Sequence, residues 1–202
     1  MAEPELRFRF EGVDKKEVAK FTVVYKDVYS WAYLYKLLHE WLADEGYCSR
    51  SDEDFKEILY EHMERPIGAE VFVRWRLSKE DIKSYKGLFR YDLDIDFHIL
   101  GQKEVEVVSG GKKYKADKGE VEIAAACNII IDPGGKVKKH WLGKHFYDFV
   151  FKVFLKGKQK QHEKQIQYDM QRLQEAIKTY LKLETYLPER ELSEWWQKRD
   201  QT

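Results

Sequence analysis

The run Tyr91-Asp-Leu-Asp-Ile-Asp-Phe-His-Ile99 leaves this chain little freedom. Strand side chains alternate with period two, so Tyr91, Leu93, Ile95, Phe97 and Ile99 share one face while Asp92, Asp94, Asp96 and His98 share the other. Residues 121–131 repeat the pattern with Val121, Ile123, Ala125, Cys127, Ile129 and Ile131. Two strands with one-sided apolar stripes need a common core, and such alternation belongs to antiparallel sheets. The meander over residues 88–155 is therefore the expected centre of the fold, and the remaining elements are its cover.

Ahead of the meander, residues 6–10 suggest a short edge strand or arm, and residues 20–25 a strand rich in β-branched and aromatic side chains. Trp31, Leu34, Leu38 and Trp41 then recur at helical spacing, with Ser30 as N-cap and Gly46 as stop. Ser51-Asp-Glu-Asp54 reads as a capped start for a second helix through Phe55, Ile58, Leu59 and His62, ended by Pro66. Val71, Val73, Trp75 and Leu77 alternate as a strand. Gly101-Gln102 is expected to turn the long strand into residues 105–108, and Ser109-Gly-Gly111 to form a hairpin. Tyr114 and its neighbours lead through Asp117-Lys-Gly119 into residues 121–131, and Asp132-Pro-Gly-Gly135 turns the chain into a last strand over residues 137–155. A helix over residues 158–187 carries Ile166, Met170, Leu173, Ile177, Tyr180 and Leu187 at alternating spacings of four and three.

The fold class predicted is α+β: a curved antiparallel sheet of about six to seven strands, two short helices after the first strand, and a long C-terminal helix packed on the sheet. At 202 residues the core needs no disulfide support. Residues 1–187 are expected as a single domain and residues 188–202 as a tail or short docking helix carrying Trp195 and Trp196.

Charged side chains make up 36% of the chain, against about 25% typically, a thermophile-like composition. The 36 basic and 36 acidic residues cancel, so no net field draws the protein to nucleic acid or anionic membrane. Two Cys and a first segment without an apolar stretch point to a cytoplasmic protein with no membrane contact.

Strand, two helices, a run of strands and one long helix is an order that resembles the helix-grip superfamily of Bet v 1, START and polyketide-cyclase-like proteins. The resemblance covers residues 20–187 and rests on element order. It implies a sheet wrapped around the C-terminal helix with an apolar cavity between them, and transfers no functional residue.

Asp92, Asp94, Asp96 and His98 are the sharpest chemical candidates. Carboxylates two residues apart on a strand stand about 7 Å apart, so one cation needs further ligands from a neighbouring strand, such as His140, His145, Glu104 or Glu106. Such a site would hold a hard cation or handle phosphate. The competing reading is a solvated face neutralised by Lys136, Lys138 or Lys144. His140 and His145 lie five apart on a strand, so they meet one ion only across a bulge near Gly143. Cys127 sits on the apolar face without an assignable activating pair and reads as packing. The basic, aromatic stretch 136–164 suits single-stranded nucleic acid, yet the balanced charge makes a solvated face the plainer reading. The helix seam reads as sheet-packing surface or as a pairing face.

No Gly-rich phosphate loop, Cys-pair metal motif, nucleophile elbow or His-Glu-x-x-His is present, so a motif-bearing enzyme is not expected and no cofactor is implied. The leading expectation is a non-catalytic carrier of an apolar or aromatic small molecule. Its ligand would lie between Leu93, Ile95, Phe97, Ile123, Ala125, Cys127, Phe149 and Phe151 of the sheet and Met170, Leu173, Ile177 and Tyr180 of the helix. Next comes an assembly protein that forms a homo-oligomer or joins a partner through its last strand, C-terminal helix and Trp195-Trp196. A metal-dependent phosphate-handling enzyme centred on Asp92, Asp94, Asp96 and His98 is the third.

Overall fold

In the computed structural model the described residues are 14–49, 55–80, 88–109, 112–135 and 155–183. They form β1 (Asp14–Tyr29), α1 (Trp31–Asp44), β2 (Glu57–Met63), β3 (Ala69–Glu80), β4 (Phe89–Ser109), β5 (Lys112–Ile131) and α2 (Lys156–Leu183). The five strands make one antiparallel sheet in the order β1-β5-β4-β3-β2. β2 to β5 are a meander, and β1 returns to lie beside β5. Among the described residues the strand count is therefore five rather than six to seven. The expected strand at 137–155 falls almost wholly outside the described residues, as do the 6–10 arm, the Trp195-Trp196 tail, His140 and His145, and the candidate lysines Lys136, Lys138 and Lys144.

The helix expected through Phe55, Ile58, Leu59 and His62 is instead the edge strand β2, paired to β3 from Glu57 opposite Trp75 to Met63 opposite Glu70. Four apolar or aromatic positions over eight residues cannot separate a period of 3.6 from a bulged strand, and the ladder with β3 decides the matter. The Glu57 carboxylate fastens this strand, accepting from Trp75 Nε1 at 3.0 Å and from the Tyr35 hydroxyl at 2.8 Å. Gly101-Gln102 is likewise a bulge inside one long strand, not a turn, with the register slipping between Leu100 and Lys103. Gly68, at φ 134°, lies against it so closely that a Cβ there would sit 2.7 Å from the Gly101 carbonyl.

Residues 117–119 pair with β1, and Asp117 reaches the start of α1. Trp31 N–H donates to Asp117 Oδ2 at 2.9 Å, and Tyr33 N–H to the Ser30 hydroxyl at 3.4 Å. Two of the free amides at the helix start are thereby satisfied. At the other end Gly46 takes a left-handed φ of 77°. Gly46 N–H then donates to Ala43 O at 3.1 Å and Tyr47 N–H to Leu42 O at 2.9 Å. This pair of bonds is a Schellman closure, which turns the residue after the glycine back toward the helix's buried side. Tyr47 enters the core by that route.

The core is the sheet face bearing Val71, Val73, Trp75, Leu93, Ile95, Phe97, Ile99, Val121, Ile123 and Cys127, covered by the two helices. α1 lies over β4 and β3 through edge-on aromatic contacts, Trp31 to Phe97 at 5.4 Å and Tyr35 to Trp75 at 4.9 Å. α2 packs on β1 and β5 and touches α1, and Tyr180 donates its hydroxyl to Ser30 O at 3.1 Å. No helix among the described residues is long and apolar enough to cross a membrane.

Candidate functional site

The structure brings together ten of the twelve residues expected around a ligand, and packs them against one another. Leu93, Ile95, Phe97, Ile123, Ala125, Cys127, Met170, Leu173, Ile177 and Tyr180 all belong to one buried cluster. Ile95, Ile123, Cys127, Leu173 and Ile177 have 0% of their surface open to a water-sized probe, so no void that would admit a water adjoins those five side chains. Phe149 and Phe151 lie outside the described residues. The regular seam of α2 is the stripe that packs on the chain's own sheet, which leaves it unavailable for pairing with another helix.

Asp92, Asp94, Asp96 and His98 do share the opposite, half-buried face, each beside a basic or acidic partner from described residues. Arg90 forks onto both oxygens of Asp92 at 2.8 and 3.0 Å. Arg76 lies 2.7 Å from Asp96 and 3.6 Å from Asp94, and Lys15 stands 3.8 Å from Asp94. These cations come from β3, β1 and the row's own strand, because Arg74 and Arg76 face Asp96 and Asp94 directly in the ladder. Burial pushes the Asp94 carboxyl up despite Arg76 and Lys15 pulling it down. His98 stacks on Phe72 with ring centres 4.3 Å apart, and its Nε2 is 3.0 Å from Glu70 Oε1. That contact, with Arg65 beside it, lowers the pKa of the Glu70 carboxyl. Among the described residues no group of three or more His, Cys, Asp or Glu is placed to hold a metal ion. Glu104 and Glu106 meet Lys115 and Lys113, at 2.8 and 2.9 Å.

The feature missed by sequence reasoning lies where α1 leads toward β2. A pocket of about 240 Å³ opens there, lined by Gly46, Tyr47, Cys48, Ser49, Lys56, Leu77 and Ser78. Its origin is a notch in the sheet edge. Arg76 N–H donates to Lys56 O at 3.0 Å, so the backbone groups of Arg76 point toward β2. Backbone direction alternates along a strand, so those of Ser78 point the same way. β2 begins only at Glu57, and no described strand residue faces Ser78 on that side.

Behind the pocket a polar chain runs into the core. Tyr47 donates its hydroxyl to Asp169 Oδ2 at 3.4 Å, Gln165 donates to Asp169 Oδ1 at 2.8 Å, and Cys127 is in contact with the Tyr47 hydroxyl. Burial pushes the Asp169 carboxyl up, outweighing the Gln165 hydrogen bond. It also pushes the Cys127 thiol up to about 12 and the Tyr47 phenol above its ordinary value. All three groups thus favour their neutral forms, as solvent exclusion requires. Cys127 is a protonated, packed thiol and not a nucleophile.

No known protein family and no curated protein matches this chain.

Lys79 lies over the Tyr47 ring, 5.1 Å from its centre, and Arg172 pairs with Glu45 at 2.6 Å. The helix end, the strand end and α2 are thereby held around one corner of the sheet. Half-buried Cys48 faces the pocket, its thiol pushed up to about 11 by burial. The sequence carried one trace of this corner, Gly46 as a helix stop. Nothing in its pattern said that Tyr47 would meet Asp169, a residue 122 positions later.

Proposed function

We propose that this chain is a small-molecule-binding domain of helix-grip type, whose ligand occupies the pocket at the α1–β2 corner rather than the seam beneath α2. A long C-terminal helix packed on one antiparallel sheet supports the helix-grip reading, while the second of the two helices in the expected order is the strand β2. The observation that carries the function is the pocket itself. It gathers Cys48, Ser49, Lys56 and Ser78 in one concavity, floored by the almost fully buried Tyr47 and Leu77. Polar groups converging in a concavity are one mark of a small-ligand site. Its volume equals that of about eight liquid waters, so the ligand is small. The paired ions on the outer face and the packed seam serve the fold.

Native mass spectrometry of gently purified protein, together with thermal shifts against a small-metabolite panel, tests this. A bound organic mass or a stabilising compound is expected for the natural sequence and not for Ser49→Trp, which fills the pocket from an exposed position. A bare chain that no compound stabilises would overturn the reading.

A further inference from the structure

We infer that the outer face of the β4–β5 hairpin arm is the docking surface for the chain's own C-terminal segment, residues 184–202, anchored by Trp195 and Trp196. β1 ends at Tyr29 opposite Asp117, and β3 begins at Ala69 opposite Gln102. Beyond those rows, residues 105–108 and 113–116 pair only with each other among the described residues. The bulge at Gly101-Gln102 sets two residues of β4 against one of β5, so the alternation of β4 changes face there. Val105 and Val107, opposite Ala116 and Tyr114, therefore look away from the helices. Glu104, Glu106, Lys113 and Lys115 pair on the helix side. All four apolar positions are half-buried. A two-stranded ribbon is marginally stable in water unless something covers such a face.

Chain reach selects the cover. Tyr114 lies about 55 Å from Ile131 along β5, at roughly 3.3 Å per residue. Residues 81–87 and 136–154 both leave and rejoin the described fold at the Ile131 end. Glu80 pairs there with Arg90, Asp132 bonds to Leu88, and Glu163 of the early α2 meets Lys16, opposite Ile129. Going out and back, the longer stretch extends no more than about 35 Å. Residues 1–13 join at Asp14, also opposite Ile131, and span about 45 Å at most. Residues 50–54 join near the Trp75–Ile95 row, about 35 Å short of Tyr114, and a loop of that length cannot cross the gap and return. Residues 184–202 start beside the arm, because Tyr180 bonds to Ser30 O and the adjoining Trp31 N–H bonds to Asp117. From Leu183 to Trp195 the chain extends to about 40 Å, enough to pass over the whole arm. Lys103 and Lys118 stand opposite each other at the base of the outer face, and Glu189, Glu191 and Glu194 precede the tryptophans. A segment tethered at that base meets the face at roughly millimolar effective concentration, which favours it over a second copy.

Photo-crosslinking of the full chain tests this. p-Benzoylphenylalanine is placed at Tyr114, where it replaces one aromatic ring with another, and separately at Val107. Circular dichroism shows which variant folds, and either one decides the matter. After irradiation at micromolar concentration, intact mass and peptide mapping are expected to show a link within one chain to residues 184–202. The same probe at Lys115, on the helix side of the arm, is expected to link several-fold less to that segment. Trp195→Ser with Trp196→Ser is expected to lower the link from Tyr114 several-fold. Links between two chains would overturn the inference by giving the face to a second copy. Links to any other part of the same chain, equal linking from Lys115, or no link at all would overturn it as well.

Discussion

Ala125 stands mid-strand in β5, directly opposite Ile95 of β4 and Phe21 of β1. Its own surface is 3% exposed, and its neighbours on the same face, Ile123 and Cys127, are fully enclosed. Replacing Ala125 with Phe asks the seam beneath α2 to accept a six-carbon ring. If the seam is as filled as its burial shows, the ring must displace neighbours from their rotamers, at a cost of about 1–3 kcal/mol. In a chain of this length each kcal/mol moves Tm by about 2–4 °C, so a fall of about 2–12 °C is expected. Thermal and urea unfolding followed by circular dichroism measure it, and Ala126→Phe is the control. Ala126 lies one residue away on the half-buried outer face, between Asp94 and Lys20 in the ladder, and should shift Tm less. An Ala125→Phe protein as stable as the natural one would refute the reasoning. It would mean that the seam holds an open cavity, and the ligand would belong there rather than at the corner pocket.

Two further outcomes follow from the same geometry. Asp169 has its folded pKa raised, chiefly by burial, so the folded state binds more protons than the unfolded one from about pH 4 upward. The stability this group supplies is present at low pH and is lost as pH rises through the folded value. Asp169→Asn should therefore gain on the natural protein between acid and neutral pH in paired melting curves, and a variant that lost ground to the natural protein over that range would contradict the assignment. Gly68→Ala puts a methyl 2.7 Å from the Gly101 carbonyl at a φ of 134°, and should cost more than about 2 kcal/mol. Gly101→Ala, with 4.0 Å of clearance, should cost only the left-handed penalty of about 1–2 kcal/mol. Chemical denaturation that reversed this order would show that the bulge and the β2–β3 turn do not abut.

Period-two alternation by itself determined the buried faces of β3, β4 and β5 and the identity of fourteen side chains in the core, since burying the other face would have put Asp92, Asp94 and Asp96 there unpaired. The spacing from Trp31 to Trp41 and from Ile166 to Tyr180 likewise determined two helices and their inward stripes. Short segments were not legible in this way. Residues 57–63 carry too few periods to choose between helix and strand, and the ladder with β3 chose for them. A Gly-Gln pair signals a turn or a bulge equally well, and the pairing of Leu100 with Glu120 and Lys103 with Lys118 made it a bulge. The partners of the acidic row came from tertiary register, which set Arg76 of β3 opposite Asp94. The corner pocket depends most on tertiary structure. It exists because β2 starts one residue past Lys56 while β3 runs on to Glu80, and because a helix cap delivers Tyr47 to Asp169. Local patterns fix which face of an element is apolar; where two elements end relative to one another is set only when they pack.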